Sequence, residues 1–277
     1  MMRLAHVSDP HFGTEEASVC RALREDLLRQ APDLVVVTGD VTQRARAAQF
    51  RAARAFLDSL APIPVLALPG NHDLPLFDLI TRFSAPYRGY RQHICASLAP
   101  LWNGPQVAVL GVNSTRVLRH KHGALPAELV ARVACQLAEL PQPFKVVAMH
   151  HPLAVVERRD WRNRARAADA ALAAWIDAGA DLFLGGHIHL PYCVAAGPGP
   201  RQAVVLQAGT AVSKRRRGGR PNSYSLVRFG AQGPRTMDIE QRDHDRPGDR
   251  FSACAAWRAD FTDTGWILSP GTVLPGR

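Results

Sequence analysis

The chain has 277 residues, 47% of them hydrophobic and 21% charged, a balance that buries a sizeable core and excludes a disordered or fibrous chain. No uncharged apolar run approaches the ~20 residues a membrane-spanning helix requires, and five scattered cysteines without a C-x-x-C pair point to neither a disulfide framework nor a zinc ribbon. The net charge of +10 favours anionic partners such as phosphate esters, nucleic acid or an acidic membrane surface, without choosing among them.

The opening residues place the ionisable His6 and Asp9 where a leader would be apolar, so no secretory signal is expected, and the cysteine pattern fits a reducing, cytoplasmic setting. Short β-branched apolar runs then alternate with stretches of helical spacing, which predicts an α/β sandwich. In chain order the spacing predicts a strand over 3–8, a helix over 15–30, a strand over 34–38, a helix over 45–60 and a strand over 64–68. An insert follows, in which Tyr87, Tyr90 and Trp102 are expected to pack in the core. Beyond it come a strand over 107–112, a helix over 126–140, a strand over 145–149, a helix over 165–178 and strands over 181–184, 203–207 and 223–229. Gly197-Pro198-Gly199-Pro200 reads as a hairpin turn between two late strands. The charged stretch 243–250 divides a main domain, residues 1–242, from an expected tail, 243–277, that packs on it.

Five of these strands end alike, in an apolar run followed within a few residues by Asp, Asn or His. Residues 4–7 lead to Asp9-Pro10-His11, 34–37 to Gly39-Asp40, and 65–68 to Gly70-Asn71-His72-Asp73; 146–149 lead to His150-His151, and 182–184 to Gly185-Gly186-His187-Ile188-His189. Ligands of α/β sheets bind outside the carboxyl ends of strands. Imidazole, carboxylate and amide oxygen suit borderline divalent or trivalent metals, and the lack of thiolate argues against structural zinc. Alternate residues on an extended segment point the same way, so Asp9 and His11, or His187 and His189, are spaced to reach one ion or two neighbouring ions. Asp9, His11, Asp40, Asn71, His150, His187 and His189 are seven groups, enough for two ions if one carboxylate bridges them. Lone histidines on apolar strands are ordinarily core residues, and His6, His93 and His244 are expected to be such.

The ordered blocks D-x-H, G-D, G-N-H-D, H and G-H-x-H over residues 9–189 resemble the signature of the calcineurin-like metallophosphoesterase superfamily. The resemblance implies a four-layer α/β/β/α sandwich holding two metal ions, Fe, Mn or Zn. It assigns Asp9, His11, Asp40 and His189 to the first ion, and Asp40, Asn71, His150 and His187 to the second, with Asp40 as the bridge. His72 is implied as transition-state stabiliser or general acid beside the scissile phosphate, with Asp73 orienting it through a hydrogen bond. His150 and His151 are alternatives as ligand; His150 lies nearer the strand, which leaves His151 to face the groove or cap the loop.

The His150-His151-Pro152 sequence is most similar to the class III cyclic nucleotide phosphodiesterases. The implied activity is therefore hydrolysis of a small phosphodiester, a 3′,5′-cyclic nucleotide first, by attack of metal-activated hydroxide. The chain departs after Asp40-Val41-Thr42, reading Gln43-Arg44-Ala45 where relatives acting on cyclic nucleotides often carry an acidic residue and a glycine. Two loops are candidate substrate contacts: Asn113-Ser114-Thr115-Arg116 running on to Lys121, and the basic run that begins at Arg215. Alternative activities are a pyrophosphatase on a nucleotide-diphosphate lipid such as UDP-diacylglucosamine, using an apolar groove in the 75–102 insert, or a nuclease whose arginine run tracks nucleic acid. Oligomeric state is left open.

Overall fold

The computed structural model describes residues 1–230 and 234–272; residues 231–233 of the expected main domain and 273–277 of the expected tail lie outside the described residues. The first half of the chain forms β1 (Met2–Val7), α1 (Ala17–Gln30), β2 (Leu34–Val37), α2 (Ala47–Asp58), β3 (Val65–Ala67), α3 (Leu79–Ser84), α4 (Arg88–His93), β4 (Leu101–Asn103), β5 (Val107–Val112) and α5 (Ala127–Glu139). The second half forms β6 (Phe144–Met149), α6 (Ala168–Asp177), β7 (Leu182–Gly185), β8 (Tyr192–Ala196), β9 (Ala203–Gln207), β10 (Ser223–Gly230), β11 (Thr236–Asp245), β12 (Arg250–Thr262) and β13 (Gly265–Pro270). Each predicted strand and helix forms, with ends within three residues of expectation.

Two sheets result, ordered β13-β12-β11-β10-β1-β2-β3 and β4-β5-β6-β7-β9-β8. They face each other across one apolar layer, with α1 and α2 outside the first and α5 and α6 outside the second. This is the expected α/β/β/α sandwich. Strand side chains alternate between faces, and β2 shows the consequence: Leu34 and Val36 enter the layer between the sheets while Val35 and Val37 pack under the helices. A strand covered on both faces has no polar side to show. The helices carry matching stripes, Val19, Leu23 and Leu27 on α1 and Val130, Val133 and Leu137 on α5. Trp175 Nε1 on α6 donates to the Val130 carbonyl at 3.0 Å, locking α6 to α5.

The hairpin at 197–200 joins β8 and β9 as expected. Residues 243–270, expected as a tail, are sheet: β11, β12 and β13 extend the first sheet antiparallel beyond β10. The polar stretch at 243–250 closes β11, turns at 246–249 and opens β12. Among the described residues all five cysteines are free, and no helix is long and apolar enough to cross a membrane.

Candidate metal centre

β1, β2 and β3 run parallel in one sheet, β5, β6 and β7 parallel in the other, so the five polar clusters emerge at the carboxyl ends of both. The segments are not extended there: Asp9, His11, Asp40, His187 and His189 all have positive φ, between 47° and 74°. Non-glycine residues adopt this left-handed region at a cost, and such residues gather at functional sites. The Asp-x-His and His-x-His pairs thus converge through turned backbone rather than the strand alternation their spacing suggests. Two glycines allow the close approach: a Cβ at Gly70 would collide with the Asp40 backbone and carboxylate, and one at Gly186 with Ser8 Oγ and Asp9 Oδ2.

Two abutting clusters result, Asp9, His11 and His189 in the first and His150, His151 and His187 in the second, joined by groups in which Asp40 meets His11 and His72, and Asp9 and His150. In the first, His11 Nε2 and His189 Nε2 face each other at 3.1 Å, with Asp9 Oδ1 3.3 Å from His189 Nε2 and 3.8 Å from His11 Nε2. In the second, Asn71 Oδ1 lies 3.0 Å from both His150 Nε2 and His187 Nδ1. Asp40 stands between them, its Oδ2 3.6 Å from His11 Nε2 and its Oδ1 3.3 Å from His150 Nε2.

Supporting bonds fix which atoms face inward. His150 Nδ1 donates to the Thr38 carbonyl at 2.8 Å and His189 Nδ1 to the Arg215 carbonyl at 2.6 Å, which leaves each Nε2 as the inward atom. Asp9 Oδ2 accepts from Ser8 Oγ at 2.6 Å and from the His187 amide at 2.9 Å, and Asp40 Oδ1 accepts from the His72 amide at 2.7 Å. Burial opposes charge on Asp40, yet the imidazoles of His150 and His72 outweigh it and hold its carboxyl well below the usual range. Burial pushes His11 and His187 down to about 3, which keeps both neutral. For His150 burial is outweighed by Asp40, and the imidazole rises to about 9.

The donor set fits metal ions. Donors held ~2.0–2.2 Å from one ion stand roughly 3 Å from one another, the separation of the closest pairs in each cluster, and all are oxygen or imidazole nitrogen. His151 lies alongside, its Nδ1 2.8 Å from Ser114 Oγ and its Nε2 buried with no hydrogen-bond partner among the described residues.

His72 hangs at the rim, its ring 4.8 Å from that of His11 and its Nδ1 donating to the Gln43 carbonyl at 2.9 Å. Asp73 does not orient it. The Asp73 carboxylate is buried and accepts from the amides of Val41, Thr42 and Gly70 and from Thr42 Oγ1, so it ties the β2 and β3 loops together. Burial and the nearby Asp40 charge push it up to about 7 against those donors.

A basin of about 580 Å³ opens over the centre, lined by His72, His120, Lys121, Asn163, Arg215 and Arg216 among others. Of the four candidate substrate contacts, Lys121 and Arg215 line it, whereas Asn113 and Arg116 do not. Asn113 Oδ1 accepts from the amide and hydroxyl of Thr115, and Arg116 Nη1 donates to the carbonyls of Asn113 and Thr115; both are spent on the turn they belong to. His6 is a core residue, its Nε2 2.9 Å from Thr38 Oγ1. His120 belongs to the donor-rich loop the sequence offered, whereas Asn163 lacked a sequence signal, since only the fold brings its loop to the basin.

Two facing sheets between helix layers, with histidine and carboxylate clusters at their strand ends, define the class of candidate two-metal hydrolases. The chain belongs to the calcineurin-like phosphoesterase family, which matches residues 2–191. It is 30% identical over 171 residues to a glycerophosphodiester phosphodiesterase, GpdQ, of Enterobacter lignolyticus, a match spanning 54% of this chain and 57% of that protein; the chain thus spans little more than half the length of that relative. It is 26% identical over 236 residues to a cAMP/cGMP dual specificity phosphodiesterase of Mycobacterium tuberculosis, covering 74% of this chain and 70% of that one. Among solved structures, PhoD superposes with a TM-score of 0.68 at 12% identity, over 99% of this chain and 73% of PhoD. A dimetal phosphatase from Danio rerio superposes with a TM-score of 0.59 at 12% identity, over 87% of this chain and 96% of that one. These two likenesses concern the fold.

Proposed function

We propose that this chain is a two-metal phosphodiesterase, with Asp9, His11, Asp40 and His189 holding one ion and Asp40, Asn71, His150 and His187 the other. The observation that carries this reading is the Asp40 carboxylate, which turns one oxygen to each cluster. Bound there, a pair of Fe, Mn or Zn ions lowers the pKa of water and draws charge from phosphoryl oxygens. His72, with Nδ1 committed to the Gln43 carbonyl, presents Nε2 to the basin, where, after taking a proton from water, it stabilises the phosphoryl group or hands that proton to the leaving oxygen. Asp73 contributes by fixing the loop that carries Asn71 and His72. Lys121 adds positive charge at the mouth, and His151 braces the β6 loop through Ser114.

A small phosphodiester is the substrate class that both named relatives share, with a 3′,5′-cyclic nucleotide as first candidate. One observation favours a second reading: Phe77, Leu79, Ile80 and Phe83, on and beside α3, are exposed, Phe77 by 77% and Ile80 by 84%. That apolar face suits an amphiphile such as a nucleotide-diphosphate lipid. The nuclease reading loses support because Arg217 is paired with Glu157 and Asp160 and Arg215 turns into the basin.

The test is initial rates with Mn²⁺ on 3′,5′-cyclic AMP, a glycerophosphodiester, bis-p-nitrophenyl phosphate, p-nitrophenyl phosphate and UDP-diacylglucosamine, with Asp40→Ala as control. The expected result is preference for a small diester and a loss of at least about 10³-fold in the variant, several kcal/mol of transition-state stabilisation. Preference for the lipid would install the second reading. No cleavage of any substrate by metal-loaded protein would overturn both.

A further inference from the structure

Arg215 is the first member of a run, Arg215-Arg216-Arg217-Gly218-Gly219-Arg220, whose composition alone suggests a solvated surface. Its surroundings differ from those of its neighbour. Arg217 is neutralised by Glu157 and Asp160, each at 2.8 Å. Arg215 has no carboxylate partner among the described residues. Its Nη1 donates to Gln43 Oε1 at 3.1 Å and stands 3.2 Å from His72 Nε2 and 3.3 Å from His11 Nδ1. These are uncharged acceptors or imidazoles, none of which satisfies a guanidinium as an anion would.

The backbone that aims it is held from both sides. The Lys214 amide donates to the Thr14 carbonyl at 2.9 Å, Asn222 Nδ2 donates to the Ser213 carbonyl at 2.8 Å, and the Arg215 amide donates to Ser213 Oγ at 3.1 Å. The Arg215 carbonyl in turn accepts from His189 Nδ1 at 2.6 Å. One residue thus sets the tautomer of a candidate ligand with its main chain and holds a fork of N–H donors over the centre with its side chain.

We propose that the Arg215 guanidinium grips a non-bridging phosphoryl oxygen of the substrate, and that Gln43 and His72 park it until the anion arrives. The proposal rests on the phosphoesterase reading and adds a catalytic residue to it. A planar fork matches the oxygens of a phosphoryl group, and charge aimed at oxygens on which the transition state concentrates charge strengthens as the reaction proceeds. Transfer of Arg215 to the anion also frees His72 Nε2, which is then open to take a proton from water and pass it to the leaving oxygen. Gln43 is then the rest for this arginine.

The experiment uses the full chain loaded with Mn²⁺ and measures the affinity of inorganic phosphate by calorimetry, beside kcat and KM for bis-p-nitrophenyl phosphate, in wild type, Arg215→Lys and Arg215→Met. Metal content per chain is measured in each. The expected result is wild-type metal content, phosphate binding weakened at least tenfold in Arg215→Met, kcat lowered by a larger factor than KM is raised, and Arg215→Lys intermediate. Equal phosphate affinity in wild type and Arg215→Met, per metal-loaded centre, would overturn the proposal even with hydrolysis intact. Hydrolysis absent from wild type while the phosphate difference persists would sink the phosphodiesterase reading and leave the anion grip standing.

Discussion

Five side chains facing the candidate centre hang from backbone in the left-handed region, where each costs of order 1 kcal/mol or more. The surrounding contacts must offset that cost, among them the bonds of Ser8 Oγ and the His187 amide to Asp9, of the His72 amide to Asp40 and of His189 to the Arg215 carbonyl. The residue types of the candidate centre were legible in the sequence because metal chemistry restricts them and strand ends order them. Partners were not: Asp73 adjoins His72 in sequence yet bonds to Val41 and Thr42, and Asn113 folds onto its own turn. His6 was legible as a core residue, and its burial makes a prediction. Burial lowers its pKa to about 3, whereas in the unfolded chain it titrates near the ordinary ~6.5. A depressed histidine contributes stability that is full above about pH 6.5 and lost as pH falls toward 3. Urea unfolding of His6→Gln should therefore lose about 2 kcal/mol less than wild type between pH 7 and pH 5; parallel pH profiles for the two proteins would contradict it.

Elements buried on both faces were readable, because β2 and β5 offer unbroken apolar runs and α1 and α5 keep a helical stripe. The strands β11, β12 and β13 were not. In β11 the buried Met237 and Ile239 alternate with Asp238 and Glu240, and alternation against polar partners reads as a charged stretch when its apolar members are few. α3 is too short to show a period and exposes its apolar residues. β11 is held to α1 by Arg242, whose Nε donates to Asp26 Oδ2 at 2.7 Å and Nη2 to Oδ1 at 3.1 Å; Tyr224 also donates to Asp26 Oδ2, at 2.5 Å. Asp26 is fully buried. Arg242→Ala takes from that carboxylate its closest cation, leaving it Tyr224 and Arg29, and should cost about 3 kcal/mol, whereas the double variant Asp26→Leu/Arg242→Met should cost less, because it removes both charges of the pair and leaves Glu240 to Arg228. Equal losses in urea unfolding would show that the pair does not couple.

For the whole molecule, the centre belongs to neither sheet. The first sheet supplies Asp9, His11, Asp40 and Asn71 from the ends of β1, β2 and β3, and the second supplies His150, His187 and His189 from β6 and β7. The apolar layer between the sheets brings these ends into register, so side chains up to 180 residues apart in sequence, Asp9 and His189, stand 3.3 Å apart. Order along the chain made this assembly legible. The Arg215 loop is different: it arrives from beyond β9, and a run of arginines gives no sign of which one turns inward.

The most direct measurement is Mn²⁺ titration of the metal-free chain by calorimetry, for wild type and Asp40→Asn. Two ions per chain in wild type, with both weakened when the shared carboxylate becomes an amide, is the predicted result. One ion or none per wild-type chain, or two bound as tightly by Asp40→Asn, would contradict a centre bridged by Asp40.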